Sequence, residues 1–390
     1  MPFEARLLPK AFLLGLLMAQ IACSSDLPES IATATKELPK EIDFNIHVKP
    51  ILSDKCYACH GPDKANQKAG LRLDEAEAAF AELPESPGKF AIVPKNLKES
   101  EVFHRIISDA PDVKMPPAEF KVELSDYEKA MLIRWIREGA AYKPHWAFTK
   151  PAKPDVPKLR IRTELANPID RFVRKKLELM DLEPSPPADK SLLLRRLSFD
   201  LTGLPPSLEE LEAFLADDSA YAYEKQVDRL LSSVHYGEKL ATDWMDLARY
   251  SDTYGYQVDR YRDMSPWRDW VIKSFNENMP YDQFLTWQLA GDLLPNPTRE
   301  QRLATGFNRL HPQNMEDGIV GEEFRVENVS DRVAVLGDGL MGLTLSCAKC
   351  HDHKYDPISQ KEYFELYSFF NTINETGQIS WDKGTPVPTL

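Results

Sequence analysis

Cys56-Tyr57-Ala58-Cys59-His60 is the stretch on which the reading of the first half of the chain turns. Two thiols separated by two residues fall along one helical turn, and an imidazole follows at once. A covalently attached haem c needs this set. The thiols meet two vinyl groups along one edge of the macrocycle, and the histidine ligates the iron from one face. The iron then wants a second axial ligand from the other face. Met115 is the candidate, in Lys114-Met115-Pro116-Pro117, 55 residues beyond His60. The prolines deny that segment a helix and hold it extended, as a loop lying against a haem face would need. His47 and His104 are the alternative ligands. Two other readings of the thiols ask for more than the sequence provides. A thioredoxin-like redox pair wants a βαβ context, and half a zinc site wants two further ligands near by.

Outward from the motif, the chain reads as helices. Phe44 to Leu52 is an apolar lead-in to Cys56. Ser125 and Glu128 form a capping box, Gly139 is placed to stop the helix, and Leu132, Trp135 and Ile136 give it an apolar stripe. A cytochrome c domain is therefore expected over 41–142. Pro144, Pro151, Pro154 and Pro157 alternate with lysines and arginines over 143–166, a semi-rigid linker. A helical domain is expected over 167–375. Asn167-Pro168 starts its first helix, with Ile169, Phe172, Val173, Leu177 and Met180 on one face. Ser207 and Glu210 cap the helix of Leu211, Phe214 and Leu215, and further helices carry Val227, Leu230 and Leu231, then Leu240, Trp244 and Leu247. Trp267 to Phe275, Asp282 to Leu289 and a final helix with Tyr363, Leu366, Tyr367 and Phe370 complete the pattern. No strand alternation runs beyond four residues. The expected fold class is mainly α: a small cytochrome-c-like helical domain followed by a larger all-helical domain. Residues 376–390 read as a tail that begins another linker.

The second domain carries its own Cys347-Ala348-Lys349-Cys350-His351, followed by Asp352 and His353. By the same chemistry it is a second haem c site, with His351 as the iron ligand. Cys347, Cys350, His351 and His353 also have the donor types of a zinc site, although so short a run would be cramped. A Cys347–Cys350 disulfide is a third reading. The sixth ligand of a second haem has no clear candidate: His311, Met315 and Met341 lie upstream, and His353 is too close in sequence to reach the opposite face.

The fifth cysteine is Cys23. Arg6 and Lys10 precede an apolar run from Ala11 to Ala22, too short to span a bilayer. The run ends Gln20-Ile21-Ala22-Cys23, which is similar to a bacterial lipoprotein signal. Residues 1–23 are thus expected to be a lipoprotein-type signal peptide and 24–40 a tether. Cys23 would be the lipidated residue, and the protein would sit on the periplasmic face of a bacterial membrane. A net charge of −13 without a long basic run argues against nucleic acid as a partner.

Two polar stretches lie between the motifs. Asp246, Arg249, Tyr250 and Thr253 are expected on one helical face, with Asp252, Asp259, Arg260 and Arg268 following. Glu316, Glu322, Glu323, Arg325, Glu327, Asp331 and Arg332 form the second. Carboxylates with arginines and tryptophans can build a sugar-binding or hydrolytic site, and internal ion pairing is the plainer reading.

With these motifs in place, the chain resembles the Planctomycete-type cytochrome c proteins. The first domain carries the resemblance through Lys49 to Ser53, Cys56 to Asp63, Gly70-Leu71-Arg72-Leu73-Asp74 and Met115-Pro116-Pro117. The second carries it through Arg195-Arg196-Leu197, Asp200 to Pro205, Asp246 to Tyr250, Pro280-Tyr281-Asp282, Gln288 to Asp292 and Cys347 to Ile358. The resemblance implies haem binding and electron transfer at Cys56, Cys59 and His60. It leaves the reaction of the helical domain open and names neither electron donor nor acceptor. It also implies an association with breakdown of complex polysaccharides, so a haem-linked enzyme or binding protein acting on them is the rival expectation. Members of that group continue into a further C-terminal domain, so a truncated or split product is implied.

Overall fold

The computed structural model describes residues 27–160 and 167–379. Sixteen α-helices, linked by loops and by short 3₁₀ and π turns, are formed among the described residues. No strand is formed among them, only isolated bridges such as Thr253 with Tyr261. The mainly α expectation holds. The expected signal peptide, Cys23, and parts of the tether, linker and tail lie outside the described residues.

The chain divides into two compact units. One holds the described residues up to Lys150 together with Cys350–Ser359; the other holds Pro151–Lys349 and the chain from Gln360.

The first unit contains α1 (Glu29–Ala34), α2 (Lys49–Lys55), α3 (Tyr57–His60), α4 (Ala76–Phe80), α5 (Glu101–Ile107) and α6 (Asp126–Glu138). Its centre is α6. Ser125 Oγ accepts from Glu128 N at 3.2 Å while the Glu128 carboxylate accepts from Ser125 N at 2.7 Å, so two of the free amides at the helix start are met. Gly139 ends the helix at φ +116°, where a side chain would be strained. Met131, Leu132, Ile133, Trp135 and Ile136 are buried on it, and Phe44, Val48, Leu52 and Ile92 pack into the same core. Phe44, Trp135 and Tyr142 form one ring cluster, and Tyr142 Oη donates to Leu73 O at 2.9 Å. His145 Nε2 donates to Asp356 Oδ1 at 2.8 Å, fastening the Cys350–Ser359 loop within this unit.

The second unit contains α7 (Pro168–Leu179), α8 (Lys190–Thr202), α9 (Leu208–Ala216), α10 (Ala222–Leu231), α11 (Val234–Leu247), α12 (Ser265–Asn276), α13 (Tyr281–Ala290), α14 (Arg299–Ala304), α15 (Gly321–Val335) and α16 (Gln360–Asn371). Its core joins α11 to α12 and α13 through Trp244, Trp267, Trp270, Val271 and Phe284. The polar edges of these rings are met inside the core. Trp244 Nε1 donates to Gln288 Oε1 at 2.9 Å and Trp267 Nε1 to Ala304 O at 3.1 Å. Gly237 lets α11 approach α12, because a Cβ there would lie 2.5 Å from Ile272 O. The apolar face expected on α7 exists, but it is not buried: Ile169, Phe172, Val173 and Met180 are exposed.

One expectation is corrected. Helix α11 stops at Leu247, so Arg249, Tyr250 and Thr253 do not share a helical face with Asp246. Arg249 stands past the helix end at φ +61°. The reason is local: Arg249 N donates to Asp246 O and Tyr250 N to Met245 O, the left-handed closure that ends many helices.

Candidate functional site

The first unit holds a cavity of about 340 Å³ on whose wall Cys56, Cys59, His60 and Met115 all stand. Local structure places the first three. Cys56 N bonds back to Leu52 O at 2.8 Å, and His60 N bonds to Cys56 O at 2.9 Å. The five residues thus make one tight turn after α2. The returning loop is tied to that turn by Lys68 N to Cys59 O (2.9 Å) and Leu73 N to His60 O (2.8 Å). These bonds bring Leu71 and Leu73 onto the wall.

A different element places Met115. Its amide donates to Arg105 O at 3.0 Å, which fixes the proline-bracketed loop to the end of α5. Helix α5 turns Val102, Arg105 and Ile106 toward the cavity, and Phe120 and Leu124 complete an apolar lining. The alternative histidines are engaged locally instead. His47 Nδ1 accepts from Asp43 N at 2.9 Å, and His104 Nε2 donates to Lys98 O at 2.8 Å. Neither lines the cavity.

The electrostatics suit a bound group. Burial pushes the Cys56 thiol up to about 12. At neutral pH it is therefore the protonated thiol of an apolar site, not a reactive thiolate. Burial likewise pushes the His60 imidazole down, against a smaller opposing effect of the Lys68 backbone. A neutral imidazole is the form that ligates a metal. His60 Nδ1 is buried with no hydrogen-bond partner, and both thiols are free. Lys55, Lys68 and Arg105 add cations able to meet carboxylates of a bound group. A buried unmet ring nitrogen, two free thiols, a thioether and an apolar lining form a donor set that fits haem c.

The second motif has different surroundings. Leu345–Lys349 is a 3₁₀ turn, and Cys347, Cys350 and His351 are exposed. His351 Nδ1 donates to Asp352 O at 2.8 Å. His353 is buried, and its Nδ1 accepts from Tyr355 N and Asp356 N, organising the loop. Cys347 and Cys350 are free thiols, and no group of three or more His, Cys, Asp or Glu among the described residues has the geometry of a metal site. Both nitrogens of His311 are bonded, to Pro312 O and to Arg332 Nη2. Met315 is a core residue, and Met341 is exposed.

Sequence reasoning did not identify the cavity walls. Leu71 and Leu73 alternate within a short extended run, and Val102 and Ile106 are four apart on α5. Both signals are ordinary core patterns, and only closure of the loops gives them a common space.

Residues 56–119 match the family described as Planctomycete cytochrome C, and residues 168–375 match a protein family of unknown function, DUF1549. No curated protein and no solved structure matches the chain.

Proposed function

The chain belongs to the family in which a planctomycete cytochrome c domain precedes a DUF1549 domain, and from that premise we propose that it is an exported, lipid-anchored electron-transfer protein with one haem c. Thioether links to Cys56 and Cys59 would hold the haem, and His60 and Met115 would ligate its iron. The observation that carries this reading is the single cavity lined by all four side chains. Bound there, haem c supplies a one-electron iron couple. The chain's own residues do the rest. The two thiols anchor the group against loss outside the cytoplasm. Leu71, Leu73, Val102, Ile106, Phe120 and Leu124 exclude water from it. A thioether ligand raises the potential relative to a second histidine, and a dry wall raises it further by disfavouring the more charged oxidised state.

The reading assigns one haem, because Cys347, Cys350 and His351 lie exposed. Export and anchoring rest on the charged start, the apolar run and Cys23. The reading is tested by pyridine haemochrome on the full chain produced with c-type maturation machinery. One haem per chain that survives acid–acetone extraction is expected, falling to none in Cys56→Ala/Cys59→Ala and staying at one in Cys347→Ala/Cys350→Ala. Two haems in the wild type would assign the second to Cys347 and Cys350, and none would overturn the proposal.

A further inference from the structure

Three cations stand on the wall of the cavity in the first unit: Lys55, Lys68 and Arg105. They are not equivalent. Lys55 directly precedes Cys56, and its Nζ already pairs with Asp54 Oδ2 at 2.8 Å. Lys68 is exposed, and its backbone N donates to Cys59 O at 2.9 Å. Both lysines therefore flank the cysteine turn. Arg105 comes from a separate element, α5, and its own carbonyl holds the Met115 loop.

The guanidinium of Arg105 is weakly engaged within the chain. Its Nε lies 3.6 Å from Glu101 Oε2, too far for a hydrogen bond. Glu101 is met instead by Lys89, whose Nζ lies 2.9 Å from Oε1. Arg105 thus keeps donors for an acceptor inside the cavity. Glu85 is the one carboxylate among the lining residues, and it is exposed.

The covalent structure of haem decides which cation matters. Its two vinyl groups lie on one edge of the macrocycle and its two propionates on the opposite edge. Thioether links at Cys56 and Cys59 therefore turn the propionates away from the cysteine turn and from the two lysines beside it. A carboxylate taken into an apolar wall is costly unless a cation meets it. A guanidinium meets a carboxylate best, with two parallel N–H donors. Building on the haem assignment above, we infer that Arg105 is the positioning residue of the haem site: its guanidinium pairs with a propionate and fixes the edge opposite the thioethers. The same charge disfavours the more positive oxidised iron and so raises the potential.

Resonance Raman spectra and midpoint potentials of the full holoprotein test this, with the haem content of each protein measured first. Arg105→Gln keeps the backbone carbonyl that holds Met115, so the far-red methionine band should persist. Its propionate bending band should move to lower frequency, and its midpoint potential should fall. Arg105→Lys keeps the charge and loses the paired donors. Its potential should stay near that of the wild type while the bending band still moves, and it serves if the Gln variant takes up no haem. A wild type without haem overturns this assignment together with the haem reading. A haem-loaded wild type whose bending band is unmoved in both Arg105 variants overturns the role of Arg105 alone. So does a band that moves in Lys55→Gln or Lys68→Gln instead.

Discussion

Met115 and His60 line one cavity although 55 residues of chain separate them. Met115 is fixed to its side of that cavity by a backbone bond from its N to Arg105 O, at the end of α5. The methionine loop therefore reports on α5, and α5 in turn packs its apolar side into the core of the first unit through Phe103 and Ile106.

Replacing Met115 tests its part directly. In Met115→Ala the weak far-red band of methionine-ligated oxidised haem should disappear. The midpoint potential should drop by at least about 0.1 V, within the ~0.8 V range that axial ligands span. Met115→His should restore a six-coordinate spectrum at a low potential. An unchanged band and potential in Met115→Ala would assign the ligand elsewhere.

Gly61 closes the motif turn. A Cβ there would lie 2.5 Å from Tyr57 O and 2.6 Å from Tyr57 Cβ, and neither atom can swing away. Gly61→Ala should therefore destabilise the first unit by roughly 1–3 kcal/mol, the cost of overpacking. Haem incorporation should fall with it. Thermal melts and haem content of the purified variant measure both, and a wild-type melt would show that the turn opens freely.

His311 makes the second unit acid-sensitive. Burial, then Arg332, pushes its imidazole well below the ordinary value of 6.5. A depressed folded value means that the unfolded chain binds the proton first. The stabilisation is complete above about pH 6.5 and is lost as pH falls, by at most about 1.4 kcal/mol per pH unit for one group. Asp331 acts in the opposite sense, because burial raises its carboxyl above the ordinary value of 3.8. Urea unfolding of the second unit between pH 7 and pH 5 should show the His311 slope, and His311→Gln should flatten it. An equal slope in the variant would place the proton on another group.

The proposed anchor depends on one thiol, Cys23. Cys23→Ala should move the protein from the membrane fraction to the soluble periplasmic fraction, read by fractionation and blotting. Retention on membranes through salt washing would rule out lipidation at that residue.

Much of this protein could be read without a structure, and the reason is range. The capping box of Ser125 with Glu128, the stop at Gly139, the start at Asn167-Pro168 and the helical turn of Cys56 to His60 each depend on neighbours within four or five residues. Such interactions are determined by local chemistry, so the helical class and the haem motif follow from sequence alone. An apolar stripe, by contrast, states only that a face can be buried. The stripe on α6 is the core of its unit, whereas that on α7 stays exposed.

What tertiary structure alone decided are the contacts between segments far apart in the chain. The wall joining Leu71, Val102 and Met115, the bond from His145 to Asp356 across 211 residues, and the ion pair of Arg249 with Asp331 are of this kind. The two cysteine motifs show the difference most plainly. They share one spacing, yet one lines a cavity and the other faces solvent. Spacing along a turn determines which atoms can act together. Whether they do so away from water depends on loop closure and burial, which are settled by the whole unit and leave no mark in the five residues themselves.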